Sequence, residues 1–547
     1  MRTISLRHGH YGLSMLVGFC IFLFYWTAYP QLLSFHEQYQ LFLWTSDYFM
    51  KRILLPGGLA DWLGELLVQF YYIEWFGALL TAILYVAVQQ TVWQILPKKW
   101  STYPLCLIPV ALLFWMMSDE STLLSYPIAL IITIITYIYN GTRGTRGLLC
   151  DLIITPILYW SIGPVSWTYV LLRIVNNKQK WSWLLIAYLF TLQLLCYFCI
   201  LSQWPLITIL LGINYYRIPM TWPVLIWLTP LIIIFFNLTA KKSNTISGVI
   251  GSIVFLSIVV IAISKGYHTD RQELIRQDYL IRNERWDDII ERAKSKEVRV
   301  TFWSNSINLA LSQKRQLADN MFDYWQSGPD ALIMNSQRDM FWNLPTAEAF
   351  WRLGMINSTL RYVSDLQESI LNGRKSGRFE KRIAECYLVN GKFELARKHL
   401  HLLKQSLFYS RWAEETEQLL GNETAINQHP IYGRLRNLRF KEDFLYSYQE
   451  IDKVLGRLFI GNKENRMALD YFIAQNLLNG DAPTFQQALP WAEQYGGYHK
   501  IPRGYQDVLN CILQQGNVPG SPYAAFVGRM IRETQKQNNN NNDETAH

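Results

Sequence analysis

The chain has 547 residues, half of them hydrophobic, yet its mean hydropathy is only +0.05. That average hides a division: residues 1–264 hold 14 Lys/Arg and 8 Asp/Glu, and the remainder hold 37 and 34. The split excludes a single soluble domain, and a net charge of +9 with no long basic run argues against nucleic acid as a partner.

The first apolar run, Leu13 to Leu33, follows Arg2 and Arg7. It is too long for a signal-peptide core and lacks a small-x-small cleavage site, so it reads as a retained span. Further spans are predicted near 73–96, 103–118, 121–140, 181–201, 220–238 and 246–264, each close to the ~20 residues a bilayer requires. The segment 148–175 has Gly163-Pro164 near its middle and reads either as one broken span or as two limbs that double back. Charge decides between them. If the segment goes out and returns, eleven basic residues share the side of Arg2 and Arg7, and only Lys51, Arg52 and Arg217 lie opposite. A single crossing gives seven against seven. The expectation is therefore an all-α, polytopic bundle of about nine helical segments over residues 1–264. It sits in the inner (cytoplasmic) membrane with a cytoplasmic N-terminus and a periplasmic C-terminal domain.

Between the first two spans lies a loop, 34–72, containing two aromatic-rich amphipathic segments, 39–50 and 59–72, split by Pro56-Gly57-Gly58. Such helices lie in the headgroup layer, with Trp44, Trp62 and Trp75 as interface anchors. The same outer side holds Glu37, Asp47, Asp61, Glu65, Glu74 and the adjacent pair Asp119-Glu120. The pair is read first as a cap: Ser118 or Asp119 at the start of the following helix and Glu120 in its first turn.

From residue 265 to 534 the pattern is helical with short polar turns, repeating weakly at Glu284, Arg315, Gly354 and Gly391 in steps of 31, 39 and 37, with a further turn at Gly480. Tyr387, Leu388, Gly391, Phe393, Ala396 and Leu400 are similar to the tetratricopeptide pattern, in which each helix pair buries a face only by stacking on its neighbour. A soluble, tetratricopeptide-like α-solenoid is expected, with a low-complexity disordered tail at 535–547. Five of the seven cysteines lie in apolar runs and read as packing residues.

Two resemblances follow. LPGGLADWLGELLVQFYYIEWFGALL (55–80), NSINLALSQKRQLADNMF (305–322) and IPRGYQDVLN (501–510) resemble an uncharacterised family of Bacteroidota multi-pass membrane proteins. The order of span, long outer loop, span and C-terminal soluble domain is similar in layout to GT-C glycosyltransferases, whose donors are lipid-linked sugars. That layout implies Asp47 as a base for the acceptor hydroxyl. It implies Asp119 and Glu120 as catalytic acids that position the acceptor or hold a divalent metal. Lys51, Arg52 and Arg217 would bind the phosphate of a polyprenyl-phosphate-linked sugar. Glu37 matches the first-loop acids by position. The alternatives are a non-enzymatic scaffold whose repeats bind envelope proteins, and a transporter, for which only Asp151, Arg173 and the Pro-broken segments speak. No G-x-S-x-G, H-E-x-x-H or Walker A motif is present.

Overall fold

The computed structural model describes residues 2–141, 144–176, 180–211, 222–441, 448–516 and 518–544. Among them every regular element is helical. The chain divides into two compact units, Met1–Glu273 with Gln405–Phe408, and Leu274–Lys404 with Tyr409–His547.

The first unit holds α1 (Arg2–Leu23), α2 (Pro30–Gln38), α3 (Ser46–Ile53), α4 (Gly58–Val68) and α5 (Glu74–Ile95). It continues with α6 (Tyr103–Met116), α7 (Ser125–Tyr139), α8 (Gly144–Ile162), α9 (Ser166–Asn176), α10 (Leu184–Cys199), α11 (Leu206–Leu211), α12 (Leu225–Thr239) and α13 (Thr245–Ala262). Among the described residues five stretches suit a bilayer by length and composition: Gly9–Ala28, Glu74–Ile95, Arg146–Asn176, Leu225–Lys242 and Thr245–Tyr267. Trp100–Met116, Ser125–Tyr139 and Leu184–Cys199 are apolar but shorter.

The Arg146–Asn176 stretch is not one rod. Gly163 takes a left-handed φ of +72°, and Pro164 follows in a single 3-10 turn between α8 and α9. An unbroken helix would separate Asp151 from Arg173 by ~33 Å. Instead Arg173 Nε lies 2.8 Å from Asp151 Oδ1. Asn140, at the end of α7, donates to Asp151 at 2.8 Å, and Tyr169 donates at 2.6 Å. Asp151 is fully buried, with donors from Arg173, Asn140 and Tyr169 around its carboxyl group. The segment doubles back.

Polar contacts define two ends of this bundle. At one end Ser14 bonds Gln89 at 2.8 Å, Lys99 reaches the Lys241 carbonyl at 3.1 Å, and Asn176 bonds Asn237 at 2.7 Å. The Asp151–Arg173 set belongs to the same end, since Asn237 also reaches the Ile95 carbonyl. At the other end two π-helical turns, Phe24–Ala28 and Ile263–Tyr267, extend α1 and α13. Tyr25 and Tyr267 join them, hydroxyl to hydroxyl at 2.7 Å, and Tyr267 donates to the Phe114 carbonyl at 2.9 Å.

The second unit is built of antiparallel helix pairs, among them Trp286–Ser295 with Thr301–Gln313, Leu344–Leu353 with Ile356–Glu368, Gly377–Val389 with Phe393–Lys404, and Arg466–Leu478 with Ala482–Tyr495. The turn positions expected at Glu284, Arg315, Gly354, Gly391 and Gly480 all have left-handed φ, between +53° and +81°. In each, the next residue donates its N–H five residues back, at 2.7–2.9 Å: Arg285 to Leu280, Gln316 to Leu311, Met355 to Phe350, Lys392 to Tyr387 and Asp481 to Asn476. These five positions share one helix-stopping motif, which recurs at Gln515, where φ is +51° and Gly516 N–H donates to Cys511 at 2.7 Å. The segments 305–322 and 501–510 meet. Arg503 N–H donates to Asp319 at 2.7 Å, and a Cβ on Gly504 would lie 2.3 Å from the Ala318 carbonyl oxygen, so only glycine lets them touch.

Candidate functional site

The first loop packs on the end of the bundle that carries the π-helical turns. Gly57 N–H donates to the Trp160 carbonyl at 2.7 Å, and the Trp160 indole returns a bond to Ile53 at 2.9 Å. The Pro-Gly-Gly turn therefore seats on the tip of the α8–α9 hairpin. Gly64 of α4 lies so close to the start of α7 that a Cβ there would sit 2.8 Å from Ser125 N. This brings the loop against the segment that carries Asp119 and Glu120.

The first amphipathic segment is shorter than expected, whereas the second is helical from Gly58 through Tyr72, as α4 and a closing 3-10 turn. Residues 39–45 form no helix; α3 starts at Ser46, where the Thr45 hydroxyl accepts the Tyr48 N–H at 3.2 Å. Trp44 and Trp75 are about half exposed, whereas Trp62 is partly buried, edge-on to Phe42 and Phe49.

Asp47 lies on the open face of α3, paired with Lys51 one turn on at 2.6 Å, with both side chains more than 70% exposed. Arg52 faces the other way. Its Nε donates to Glu65 at 2.9 Å, Tyr48 donates to the same carboxylate oxygen at 2.6 Å, and the guanidinium covers the Tyr48 ring. Burial works against the Arg52 charge, but Glu65 and Tyr48 outweigh it and hold the guanidinium above its ordinary range. This triad ties α3 to α4, and it occupies the Arg52 fork that was expected to meet phosphate. The signal missed in the sequence was the amphipathic phase of α3, which puts Tyr48 and Arg52 on the same helix face four residues apart.

Asp119 and Glu120 are adjacent but serve different partners. Asp119 Oδ1 accepts from the Ser121 N–H at 2.9 Å and its hydroxyl at 2.5 Å. The expected helix cap is displaced: α7 begins at Ser125 and has no side-chain cap, so Asp119 closes a separate turn. Glu120 pairs with Arg271 at 2.6 Å, and Gln272 donates to the Ser118 carbonyl at 2.6 Å. Asp47 and Asp119 thus sit in separate bonded sets. Arg217 lies outside the described residues. Among the described residues no group of three or more His, Cys, Asp or Glu side chains is arranged to hold a metal.

The second unit offers a different feature. A slot of about 780 Å³ runs between helix Pro522–Glu544 and the end of Arg466–Leu478. Phe526, Val527, Met530 and Ile531 form one wall, with Ile451 and Leu478 opposite and Gln475 and Asn479 as polar members. Elsewhere in this unit Glu348 is encircled by Arg352, Arg378 and Arg382 at 2.7–3.4 Å. Burial would raise its carboxyl pKa, and the three cations instead hold it well below the usual range. Arg378 is shared bidentately with Asp278, at 3.0 Å to each oxygen, so this cluster is a structural lock.

These features define an all-α protein with helices of membrane-spanning length in its first half and a helical-pair unit in its second. The chain belongs to DUF6057, a family of unknown function whose model matches residues 6–536. No curated protein and no solved structure matches it.

Proposed function

We propose that the protein is a non-enzymatic scaffold of the cell envelope. The bundle anchors it in the inner membrane with the N-terminus cytoplasmic, and a periplasmic, tetratricopeptide-like solenoid binds a protein partner. The observation that carries this reading is the 780 Å³ slot in the helical unit, of ligand-site size and mostly apolar. The fates of the candidate site residues also favour it, since Glu120 and Arg52 are held in ion pairs and Asp119 closes a turn. The hairpin at Gly163 supports the out-and-back topology, which keeps the eleven basic residues on the cytoplasmic side.

A GT-C-like transferase using a polyprenyl-phosphate-linked sugar is the second reading, and Asp47 favours it. This carboxylate is open to solvent at the bundle's loop-bearing end, with Lys51 beside it as a phosphate partner.

The two readings separate in cells. In a scaffold, Asp47→Asn and Asp119→Asn leave envelope integrity intact, and removal of residues 274–547 abolishes it while the membrane unit still accumulates. Loss of an envelope glycan in Asp47→Asn, at unchanged protein abundance, refutes the scaffold and favours the transferase. A periplasm-only reporter fused after residue 264 must be active if the orientation is right.

A further inference from the structure

We infer that two touching turns at the bundle end opposite the first loop, Lys98-Lys99-Trp100 and Lys241-Lys242-Ser243, bind the phosphate headgroup of an anionic phospholipid. The inference goes beyond the scaffold reading and rests only on the placement of the bundle in the membrane that it shares with it.

The ends of four helices bring the turns together. α5 stops at Ile95 and α6 begins at Tyr103, while α12 stops at Thr239 and α13 begins at Thr245. Asn237 donates to the Ile95 carbonyl at 3.3 Å, and the Ser243 hydroxyl donates to Ser101 at 3.0 Å. A Cβ on Gly248 would lie 3.0 Å from Ser101 Cα, so α13 passes close against the first lysine turn. Lys99 Nζ then reaches across to the Lys241 carbonyl at 3.1 Å. Lys98 folds back over the Trp93 ring and donates to the Trp93 carbonyl at 2.6 Å.

All four lysines are exposed. Among the described residues no carboxylate pairs with any of them; the hydrogen bonds of Lys98 and Lys99 go to backbone carbonyls. The distribution of acids explains this. Of the 8 Asp/Glu in residues 1–264, Asp151 is spent on Arg173, and the others lie at the first loop or in the Asp119-Glu120 turn. Four cations gathered without a counter-charge repel one another, and an anion between them turns that repulsion into attraction. Lysine serves phosphate as a compact point charge with three donors.

The surroundings select a lipid over a soluble anion. Ile246, Val249, Ile250 and Ile253 recur at helical spacing on α13, each more than half exposed. This strip starts at the second lysine turn and runs ~10 Å along the helix at 1.5 Å per residue. Leu238, Phe235 and Leu231 lead away from the same turn along α12, also more than half exposed. Trp100, 45% exposed, suits the headgroup level. A lipid lays its acyl chains on these strips while its phosphate meets the lysines, as in basic sites between membrane helices. A free phosphate leaves the strips uncovered.

The test uses the full chain in dodecylmaltoside micelles, titrated with phosphatidylglycerol or phosphatidylcholine, with bound lipid read by native mass spectrometry. Phosphatidylglycerol is expected to bind about tenfold more tightly or better. Lys99→Gln, Lys241→Gln and Lys242→Gln should each weaken phosphatidylglycerol about fivefold and leave phosphatidylcholine unchanged. Lys265→Gln, an exposed lysine of the π-helical turn at the other end, should alter neither. Unchanged thermal melting shows that the variants fold. If loss of its bond to Lys241 unfolds Lys99→Gln, Lys242→Gln decides. Equal affinity for the two lipids, undiminished phosphatidylglycerol binding by the Lys241→Gln/Lys242→Gln double variant, or an equal loss in Lys265→Gln overturns the inference. Displacement of the lipid by millimolar inorganic phosphate also overturns it, by assigning the lysines to a soluble anion. These results leave the scaffold reading to the domain-removal and Asp47 experiments, and the orientation to the reporter fusion.

Discussion

The Asp151–Arg173 pair is the clasp of the doubled-back segment, and breaking it gives a quantitative test of that geometry. Arg173→Met removes the 2.8 Å partner of a fully buried carboxylate and leaves it with two neutral donors, Asn140 and Tyr169. Removing one member of a buried pair costs about 3–5 kcal/mol. Asp151→Leu costs a similar amount by stranding the guanidinium. In the double variant neither charge remains, and Asn140 and Tyr169 still bond each other at 2.7 Å. The double variant then loses only about 2–3 kcal/mol, near the cost of one or two unmade hydrogen bonds. The coupling in the cycle should therefore exceed about 3 kcal/mol. Equilibrium unfolding of the purified protein in mixed micelles, titrated with denaturing detergent, measures all four corners. Additive losses, or an Arg173→Met variant within about 1 kcal/mol of wild type, would mean that the two limbs do not meet.

Three further outcomes concern the helical unit. Burial pushes the Asp470 carboxyl up from 3.8 to about 6, against the hydrogen bond from Tyr498 and the charges of Arg315 and Arg466. An acid raised on folding contributes stability that is complete below its unfolded pKa and is lost as pH rises through the folded value. The unit should therefore lose about 2 kcal/mol between pH 4 and 6.5. Asp470→Asn should flatten that slope and melt higher at pH 7; a wild-type profile without the slope refutes the assignment. Gly391 has a φ of +71° with open space where a Cβ would stand, so Gly391→Ala should cost about 1–2 kcal/mol through backbone strain alone. Gln515, at +51°, should gain about 0.5–1 kcal/mol as Gln515→Gly, read as opposite shifts in melting temperature.

Much of the fold was legible because it rests on local rules. The five turn positions were readable from polar breaks in a helical pattern, even where Glu284 and Arg315 occupy left-handed backbone without being glycine. The hairpin was legible from charge, and a second signal lay beside it: Asp151 and Arg173 stand 12 and 10 residues from Gly163, mirror positions about the turn. The site was less legible because it depends on which residues of distant segments meet. Arg52 reads as a free cation until Glu65, thirteen residues away, arrives at its Nε. Asp119 reads as a helix cap, but α7 begins six residues later, because Ser121 and Thr122 close a turn of their own onto Asp119 and Met116. The slot left no sequence signal, since Gln475 and Met530 occupy ordinary helical positions and only packing leaves space between them.

The hydroxyl bond between Tyr25 and Tyr267 joins residues 242 positions apart, the first and last of the bilayer-length helices among the described residues. A ribosome adding roughly 5–20 residues per second delivers Tyr267 about 12–50 s after Tyr25. Through that interval the first long apolar helix has its π-helical turn unmatched. Closure of the bundle is therefore timed by its final long helix, and a chain cut at residue 264 never receives the residue that closes it.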